Sequence, residues 1–388
     1  MYSVSDYIVR GCVFANNQVR PRHKKLASLM IYATDLCDSA CKHCLIWAKR
    51  PAHILPKEEI YKIVKSKCVT KHTKVGLEGG EFLLHPDALE ILSWFKAHHP
   101  NFDLLSNCLQ PDKLISAVKT YTPQRLWISL DGTEQTYLQM RGKDGYAKVI
   151  RVIEELRSVL PVSLMFTLSP YNDFDDLSHV IEVAKQYGVD LRVGIYNNID
   201  FFDTRDKAHA NDIGSKKGGD PLKFRNVKEQ QAVLEVAEGA ISREISFEQW
   251  RDQLPASIRS FDENYDFLLL YNLWKQKQLR LRCFSIFDNT VVLPNGDVPI
   301  CQNLPTKLGN VYHSTLDEIV NSEATIKSQK FHSNHCNSCW INYHRKQDVV
   351  LYRNMERIFG PTAISKMLGY YQWSDDQSSY KELVEQPD

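Results

Sequence analysis

Residues 36–47 have the sequence LCDSACKHCLIW, which places Cys37, Cys41 and Cys44 on one short segment, with three and then two residues between them. Three thiolates can hold three irons of a cubane cluster, whereas iron–sulfur clusters usually take four cysteines. The fourth iron is then open to a substrate or cofactor, as open metal sites are. Taken alone, the motif is also compatible with a zinc knuckle or with three unrelated buried cysteines.

Strand and helix signals alternate from residue 27 to residue 195, around this segment. Strands are predicted at 27–33, 74–77, 103–105, 125–130, 161–168 and 190–195. Helices are predicted at 57–67, 85–98, 112–118, 146–156 and 175–187, and Gly188 is the expected C-cap of the last. Six β–α steps require a parallel sheet with helices outside it, and six strands are too few for a closed eight-stranded barrel. The pattern predicts an α/β fold with an open, partial (β/α)6 TIM-like barrel.

The C-x3-C-x2-C spacing of residues 37–44 resembles the signature of the radical S-adenosylmethionine (radical SAM) superfamily. The resemblance implies that the three cysteines hold a [4Fe-4S] cluster. In that family the open iron is chelated by the amino and carboxylate groups of the methionine part of S-adenosylmethionine (SAM). The resemblance also implies the same partial (β/α)6 barrel that the strand pattern predicts.

In a parallel sheet the reactive groups are expected just after the strands, at their C-terminal ends. The second predicted strand is followed by Glu78, Gly79, Gly80 and Glu81. Two successive glycines let the backbone approach a ligand closely, and carbonyls beside a carboxylate suit an ammonium group. This GGE resembles the family motif whose backbone holds the SAM amino group, although Phe82 stands where the family usually has proline. An ordinary turn before a helix is the alternative.

Polar residues also follow the third and fourth predicted strands. Asn107 suits a ribose hydroxyl, or else it caps a turn. The sequence ISLDG at 128–132 resembles the SAM-ribose motif of the family. Ser129 and Asp131 are expected to point to the same side, since strand residues two apart do. Arg141 suits the SAM carboxylate, and a free surface arginine is the alternative. The predicted cofactor-binding residues are therefore Gly79, Gly80, Glu81, Asn107, Ser129, Asp131 and Arg141, and no catalytic residue is assigned.

A second set of cysteines lies in the C-terminal part of the chain. Cys283 and Cys301 enclose a segment with the turn signal Asn-Gly at 295–296, which predicts a β-hairpin that brings these cysteines together. Cys336 and Cys339 add a C-x2-C pair. Four thiolates suit either an iron–sulfur cluster or structural zinc. Three nearby histidines keep the zinc alternative open: His332, His335 and His344.

The order C-x12-G-x4-C, followed by C-x2-C, resembles the auxiliary-cluster domain of the SPASM/twitch branch of the radical SAM superfamily. The complete seven-cysteine SPASM pattern is not met, because no cysteine follows Cys339. The resemblance thus implies the shortened form with one auxiliary [4Fe-4S] cluster on Cys283, Cys301, Cys336 and Cys339. A cluster with four cysteine ligands is expected to transfer electrons rather than to chelate substrate.

The chain divides into five predicted regions. They are an N-terminal lead-in at 1–25, the radical SAM partial barrel at 26–200, a polar linker and helical segment at 201–280, a SPASM/twitch-like domain with a β-hairpin and helices at 281–345, and a C-terminal helical cap and tail at 346–388. Outside the barrel, helices are predicted at 228–239, 247–277 and 348–371. The polar stretch at 197–220 carries no recognisable chemistry.

Composition narrows the class of protein. The 388 residues are 43% hydrophobic, enough for a sizeable core, and the formal net charge of +1 argues against nucleic acid or an anionic membrane as main partner. No secretory signal is visible, and no apolar run approaches the roughly 18 residues of a membrane span. Ten cysteines without an export signal favour metal or catalytic use over disulfides. A cytoplasmic protein is therefore expected.

The resemblance implies an enzyme of the oxidoreductase type. An electron from a donor such as flavodoxin or ferredoxin enters the first cluster, and SAM is cleaved reductively to methionine and a 5′-deoxyadenosyl radical. That radical takes a hydrogen atom from the substrate, which then loses an electron, with the auxiliary cluster as the expected acceptor.

Two substrate classes fit this chemistry. A small polyol or sugar-type metabolite, oxidised or epimerised, is favoured because no extra leader-binding domain is evident. Oxidation or cross-linking of a peptide or protein side chain is the alternative. A non-catalytic zinc or iron–sulfur protein is an alternative of another class. It explains the cysteines, but not GGE, SLDG and six strand–helix steps in one order.

Overall fold

The frame of the structure is a parallel sheet that curls into a half-barrel. The computed structural model describes residues 4–49, 51–196, 247–275, 279, 281–304, 306–335, 339–360 and 362–364. Within these residues the sheet has seven strands in the order β6-β5-β4-β3-β2-β1-β7. The strands are β1 (Ser28–Tyr32), β2 (Lys74–Glu78), β3 (Phe102–Ser106), β4 (Arg125–Ser129), β5 (Val162–Leu168), β6 (Asp190–Ile195) and β7 (Asn289–Val292).

Each of the first five strands pairs in parallel with the next one along the chain, as successive β–α steps require. The prediction of a partial (β/α)6 barrel is therefore confirmed. Alternate residues of each strand face the helices outside or the interior of the half-barrel. The outward residues are buried and aliphatic, as Leu29, Ile31, Val75 and Leu77 illustrate in β1 and β2.

The seventh strand, β7, comes from the C-terminal part of the chain and lies beside β1. It pairs in parallel with β1, with Asn289 opposite Ser28 and Val292 opposite Ile31. All four of its residues are buried. The strand covers the edge of β1, whose backbone groups would otherwise lack partners. The region of the second cysteine set is thus joined to the barrel by the sheet itself.

The predicted hairpin around residues 295–296 is present only in part. The turn forms, and Gly296 adopts the positive φ of +84° that favours glycine. The strands on either side of the turn enter different sheets, because β7 joins the barrel. The hairpin of this region is instead formed by β8 (Asp297–Pro299) and β9 (Lys307–Asn310), which pair antiparallel.

Helices cover the outer face of the sheet and the C-terminal region. They are α1 (Val4–Val19), α2 (Lys57–Val64), α3 (Ala88–His98), α4 (Pro111–Tyr121), α5 (Glu134–Arg141), α6 (Tyr146–Leu156), α7 (Phe174–Tyr187), α8 (Phe247–Gln253), α9 (Asp262–Lys275), α10 (Leu316–Asn321), α11 (Glu323–His335) and α12 (Asn342–Phe359). Helix α7 begins with a capping box at Asp173 and ends at Gly188, which is left-handed as predicted. Helix α5 was not predicted, because its apolar periodicity is weak; its N-cap Thr133 is the signal that could have found it.

Two predicted helices outside the barrel have different bounds. The helix predicted at 247–277 is two helices, α8 and α9, since Pro255 disfavours helical backbone before it and a 3-10 turn, Ala256–Ser260, follows. The last helix, α12, begins earlier than predicted and runs across the expected boundary at 345–346. The helix predicted at 228–239, the polar stretch at 197–220 and the chain beyond 364 lie outside the described residues.

Trp340 locks the C-terminal region onto helix α9. Its side chain is fully buried, and its indole nitrogen donates to the Phe267 carbonyl at 2.9 Å. Its ring also packs against those of Phe267 and Trp274, with centroids 5.6 and 5.5 Å away. The aromatic stripe predicted in 247–277 is thus core. None of the helices that the structure describes is long and apolar enough to span a bilayer.

Replacing Trp340 by alanine is expected to lower the free energy of unfolding by about 3–5 kcal/mol, as for other buried tryptophans. Urea unfolding followed by circular dichroism measures this loss. Phe359→Ala is the matched control, because that ring is 51% exposed, and it should change stability by less than about 0.5 kcal/mol. If Trp340→Ala lowers the free energy of unfolding by less than about 1 kcal/mol, Trp340 does not hold the C-terminal region on helix α9 as described.

Candidate active site

A cavity of about 310 Å³ lies inside the half-barrel and extends from the cysteine segment at 36–47 down to the middle of the strands. Cys37, Cys41 and Cys44 all line it, together with residues 78–81. Alternate residues of β1 to β6 form its walls, since every second residue of a strand faces the interior. The structure thus brings the first three cysteines and the GGE sequence to one space at the C-terminal ends of the strands.

Cys41 is buried and Cys37 and Cys44 are half-buried, and the pKa values of Cys37 and Cys44 are raised. Burial raises the pKa of Cys37 and raises that of Cys44 to about 12. Because metals bind the thiolate, loading of this site must release protons. Groups that suit a sulfur ligand are already close. Arg141 Nη1 lies 3.7 Å from Cys41 Sγ, and Asn107 Nδ2 lies 3.9 Å from Cys37 Sγ.

No group of three His, Cys, Asp or Glu side chains converges as for a single metal ion in the part of the chain that the structure describes. The first three cysteines belong to that part, so their side chains do not converge on one point. A cubane binds each thiolate at a different iron, so its ligands need not converge on one point. The donor set of this segment thus fits an iron–sulfur cluster.

The cysteine segment packs directly on the backbone of the GGE sequence. The amide of Gly80 donates to the Thr34 carbonyl and that of Glu81 to the Leu36 carbonyl, both at 2.7 Å. A Cβ atom on Gly80 would lie 2.2 Å from the Leu36 oxygen, and Gly79 has a φ of +151°. The glycines are therefore required by the close approach of the chain's own backbone, in addition to the close approach of a ligand that the sequence suggested.

Glu81 joins the second strand to the third. Its side chain is 3% exposed and accepts hydrogen bonds from Ser106 Oγ at 3.1 Å and from the Asn107 amide at 2.8 Å. Burial raises the pKa of Glu81 to about 7. Asn107 in turn donates to Asp38 Oδ1 at 2.8 Å, and so links β3 to the cysteine segment. Both residues line the cavity, and both also hold its rim together.

Arg141 and Asp131 form a buried ion pair behind the cysteines. Arg141 Nε donates to Asp131 Oδ2 at 2.7 Å, while the Thr167 amide donates to Asp131 Oδ1 at 2.9 Å. Arg141 lines the cavity and is not a free surface arginine. Ser129 lines the cavity, whereas Asp131 reaches it through Arg141, and the expectation that both side chains face the same side stays a prediction. Strand β4 ends at Ser129, and the alternation of side chains ends with it.

Four ionisable residues of the cavity wall were not selected from the sequence as site residues: Lys74, Glu78, Asp103 and Arg192. Burial raises the pKa of Glu78 to about 7, which Arg192 opposes and Asp103 reinforces. The sequence did contain a signal for these charged residues. Parallel strands that are buried on both faces usually have continuous apolar runs. The strands KVGLE (β2) and RLWIS (β4) alternate instead, which indicates a polar inner face.

The second cysteine set surrounds a smaller pocket. Cys283, Cys301 and Cys339 line it together with His344. Cys336 and the side chain of His335 lie outside the described residues. Burial raises the pKa of the Cys283 thiol, which must therefore release its proton when the site binds a metal.

The hydrogen bonding of His344 indicates whether this pocket suits an iron–sulfur cluster. It is 1% exposed, and neither ring nitrogen has a hydrogen-bond partner among the described residues. Burial lowers the pKa of His344 to about 3, so the ring is neutral and keeps one N–H donor. An unmet buried donor costs about 1–3 kcal/mol. Sulfide or thiolate acceptors in the pocket would satisfy it, and the residues present fit an iron–sulfur cluster.

Replacing Gly80 by alanine is expected to displace the cysteine segment, because the new Cβ would overlap the Leu36 and Asp35 oxygens. Anaerobically reconstituted Gly80→Ala should lose most of the iron held by this segment, about four of about eight irons per chain. Iron analysis measures the loss. Gly11→Ala is the control, because nothing lies within 4 Å of a Cβ there. Full iron content in Gly80→Ala would contradict the packing argument.

Two family models match the chain. The radical SAM superfamily model matches residues 31–184, and the SPASM model, an iron–sulfur cluster-binding domain, matches residues 283–340. The first match contains the cysteine segment and the cavity. The second begins at Cys283 and includes the other three cysteines of the second set.

Curated relatives match the barrel part of the chain. GTP 3′,8-cyclase of Clostridium botulinum (strain Hall) is 25% identical over 179 residues, which are 44% of this chain and 56% of that protein. Mycofactocin maturase MftC of Mycobacterium ulcerans is 26% identical over 167 residues, 41% of this chain and 44% of the relative. The chain thus spans about half the length of these relatives.

A solved structure shares the fold over most of the chain. SuiB of Streptococcus suis, bound to its precursor peptide SuiA, superimposes with a TM-score of 0.52 at 13% identity, covering 84% of this chain and 72% of SuiB. The radical SAM domain holds SAM and a [4Fe-4S] cluster, and the SPASM domain holds an auxiliary iron–sulfur cluster. The chain therefore belongs to the radical SAM superfamily, in the branch whose members carry a C-terminal SPASM domain.

Proposed function

We propose that this enzyme oxidises or epimerises a small polyol or sugar-type metabolite after reductive cleavage of SAM. The observation that carries this proposal is the cavity, which joins the cysteine segment to an interior of the half-barrel where charged side chains lie among apolar ones. The substrate occupies that interior, below SAM. Flavodoxin or ferredoxin supplies the electrons. The nine described cysteines are all free thiols, which supports a reducing, cytoplasmic location.

The interior of this half-barrel is unlike a barrel core. Closed barrels fill their interior with layers of branched aliphatic side chains. Here the inward positions hold charged residues such as Glu78, Asp103 and Arg192, while Gly76 and Gly194 leave space beside them. Carboxylate, guanidinium and amide groups together offer the donors and acceptors that hydroxyl groups require. A polar, uncharged metabolite with several hydroxyls matches such a wall.

Different residues of the chain are assigned to the cluster and to SAM. When bound, the first cluster and SAM supply the 5′-deoxyadenosyl radical that takes a hydrogen atom from the substrate, and the auxiliary cluster supplies an acceptor for the electron that an oxidised substrate gives up. Cys37, Cys41 and Cys44 hold the first cluster. Gly79 and Gly80 approach the SAM amino group, and Asn107 and Ser129 line the space for its ribose. Of the other predicted cofactor-binding residues, Glu81 would stand near the SAM amino group, and Arg141, held by Asp131, would face the SAM carboxylate.

Glu78 is the proton acceptor of this mechanism. Oxidation of an alcohol carbon releases a proton besides the hydrogen atom and the electron, and a general base works best when its pKa is near the ambient pH. The pKa of Glu78, raised by burial to about 7, meets that condition. Its position at the end of β2, directly before GGE, puts it beside the SAM site.

A second candidate function is the oxidation or cross-linking of a peptide side chain by the same chemistry. It is favoured by the similarity in fold to SuiB, a structure with a bound precursor peptide, and by the match to a maturase. A single side chain could enter the cavity while the peptide stayed outside. A non-catalytic zinc or iron–sulfur protein is a third candidate, which SAM cleavage would exclude.

The first test is metal content and SAM cleavage after anaerobic reconstitution. About eight irons per chain are expected, together with conversion of SAM to methionine and 5′-deoxyadenosine under dithionite. Cys37→Ala should keep about four irons and lose the cleavage, whereas Cys283→Ala should also keep about four but still cleave SAM. About four irons with one zinc would make the C-terminal site structural. An iron-free protein, or one that leaves SAM intact, would overturn the proposal.

Glu78→Gln tests the proton acceptor without a known substrate. The folded-state pKa of about 7 exceeds the ordinary value of 4.5, so the stability from the protonated carboxyl is full below 4.5 and is lost as the pH rises through 7. At pH 8 the variant should therefore be more stable than the wild type, by about 2 kcal/mol after allowance for partial exposure. At pH 5 the two should be equal.

Thermal unfolding of reconstituted protein at both pH values measures this difference. Glu90→Gln is the control, since that side chain is 59% exposed, and it should not gain stability at pH 8. Equal destabilisation of Glu78→Gln at both pH values would mean that Glu78 is an ordinary structural carboxylate. In that case it could not serve as the poised base.

A further inference from the structure

We propose that the lower part of the cavity is a subsite for the hydroxyl groups of an uncharged substrate. This floor subsite is defined by Asp103, Trp127, Arg192 and Asn342, all of which line the cavity. The proposal rests on the proposed function, because it concerns how that enzyme holds its substrate. It adds the residues that recognise the substrate and the kind of group they take.

The floor subsite lies below the layer in which the chemistry occurs. Asp103 is paired with Gly76, two residues before Glu78 on β2. Two residues of a strand span about 7 Å, so the floor is separated from Glu78 and the SAM site by about that distance. A compact molecule gripped at the floor therefore presents its opposite end to the radical. The SAM-binding residues lie at the strand ends and are too far from the floor subsite to contact it.

Asp103 lines this space and has one carboxylate oxygen without a hydrogen-bond partner among the described residues. The residue is 5% exposed, and its Oδ2 accepts a hydrogen bond from the Trp127 indole nitrogen at 3.1 Å. Its Oδ1 is buried and accepts no hydrogen bond from the described residues. A buried acceptor without a partner is costly, and natural structures rarely keep one without a functional reason. A donor on the ligand would satisfy it.

Asn342 offers the matching donor. It is the first residue of α12, and its Oδ1 accepts a hydrogen bond from Arg192 Nε at 3.0 Å, which fixes the orientation of the amide. Its Nδ2 is buried and donates to no group in the described ranges. The guanidinium of Arg192 lies over the ring of Trp127, 5.3 Å from its centroid. The unused donor and the unused acceptor thus belong to one connected network.

The charges of the floor favour a neutral ligand. Asp103 and Glu78 line the same cavity as Lys74 and Arg192. Lys74 and Arg192 lower the pKa of Asp103, against the effect of burial. The wall therefore compensates its own charges, and an ionic ligand would leave one of them unbalanced. A hydroxyl group both donates and accepts without charge. Hydroxyls on neighbouring carbons fit an unused acceptor and an unused donor together.

Deuterium transfer tests this inference in the reconstituted holoenzyme. Perdeuterated glycerol, myo-inositol and glucose are supplied with SAM and dithionite, and mass spectrometry measures deuterium in the 5′-deoxyadenosine formed. Gluconate and glucosamine, deuterated on carbon, are the charged counterparts. Deuterium is expected from at least one neutral probe, with at least about tenfold less from its charged counterpart, a ratio set by the loss of one recognition contact.

Two variants locate the effect at the floor. Asp103→Asn should lower the deuterium per 5′-deoxyadenosine at least about tenfold, because one acceptor becomes a donor. Asp112→Asn is the matched control, since that side chain is 83% exposed on α4. Gly76→Ala gives a second variant that the fold tolerates, because its Cβ would meet nothing closer than 3.5 Å. It narrows the cavity beside Asp103, next to Glu78 Oε1, and should also lower the transfer.

The outcomes separate the two proposals. Absence of 5′-deoxyadenosine in the wild type would mean that the proposed function has failed. If 5′-deoxyadenosine forms without deuterium from any neutral probe, the floor subsite is overturned while the radical chemistry stands. Transfer from charged probes alone, or equal transfer in Asp103→Asn and the wild type, overturns it as well.

Discussion

The active site depends on the packing of the cysteine segment against the backbone of the GGE sequence. Two short hydrogen bonds, from Gly80 to Thr34 and from Glu81 to Leu36, hold the end of β1 on the end of β2. No Cβ atom fits between these backbones. Asn107 and Arg141 add contacts to the same segment from β3 and from α5. Three thiols are therefore positioned by backbone contacts from several strands, before any metal binds.

The interior of the half-barrel holds charged groups that serve function at a cost in stability. Buried carboxylates such as Glu78, Glu81 and Asp103 have raised pKa values because water is excluded from them. Aliphatic residues at these positions would pack the interior as they do in closed barrels. Opposite charges on neighbouring strands reduce the cost without removing it. Perturbed carboxylates gathered in one cavity are typical of a site where protons move or polar ligands bind.

The sequence predicted the features that depend on local patterns, and missed those that depend on distant contacts. Six strands, the two cysteine sets and the GGE sequence follow from periodicity and spacing, which neighbouring residues determine. The ion pair of Asp131 with Arg141 was not predicted, because the end of β4 at Ser129 is set by its neighbours in the sheet. The pairing of β7 with β1 joins residues more than 250 positions apart, for which periodicity gives no signal. Glu78 was visible in the alternation of β2, but its burial required the whole half-barrel.

The seventh strand also connects the two cysteine sites structurally. The segment that carries Cys283 and Cys301 is the one that supplies β7, so the second site is fixed to the barrel by backbone hydrogen bonds. Gln302, directly after Cys301, donates to the Tyr32 hydroxyl at 2.7 Å inside the cavity. Tyr32 and Glu78 end the paired strands β1 and β2 opposite each other. The wall that holds Glu78, the proposed proton acceptor, is therefore continuous with the wall that leads to the second cysteine site. A two-electron oxidation needs both routes at one place, and this arrangement of β1, β2 and β7 provides them.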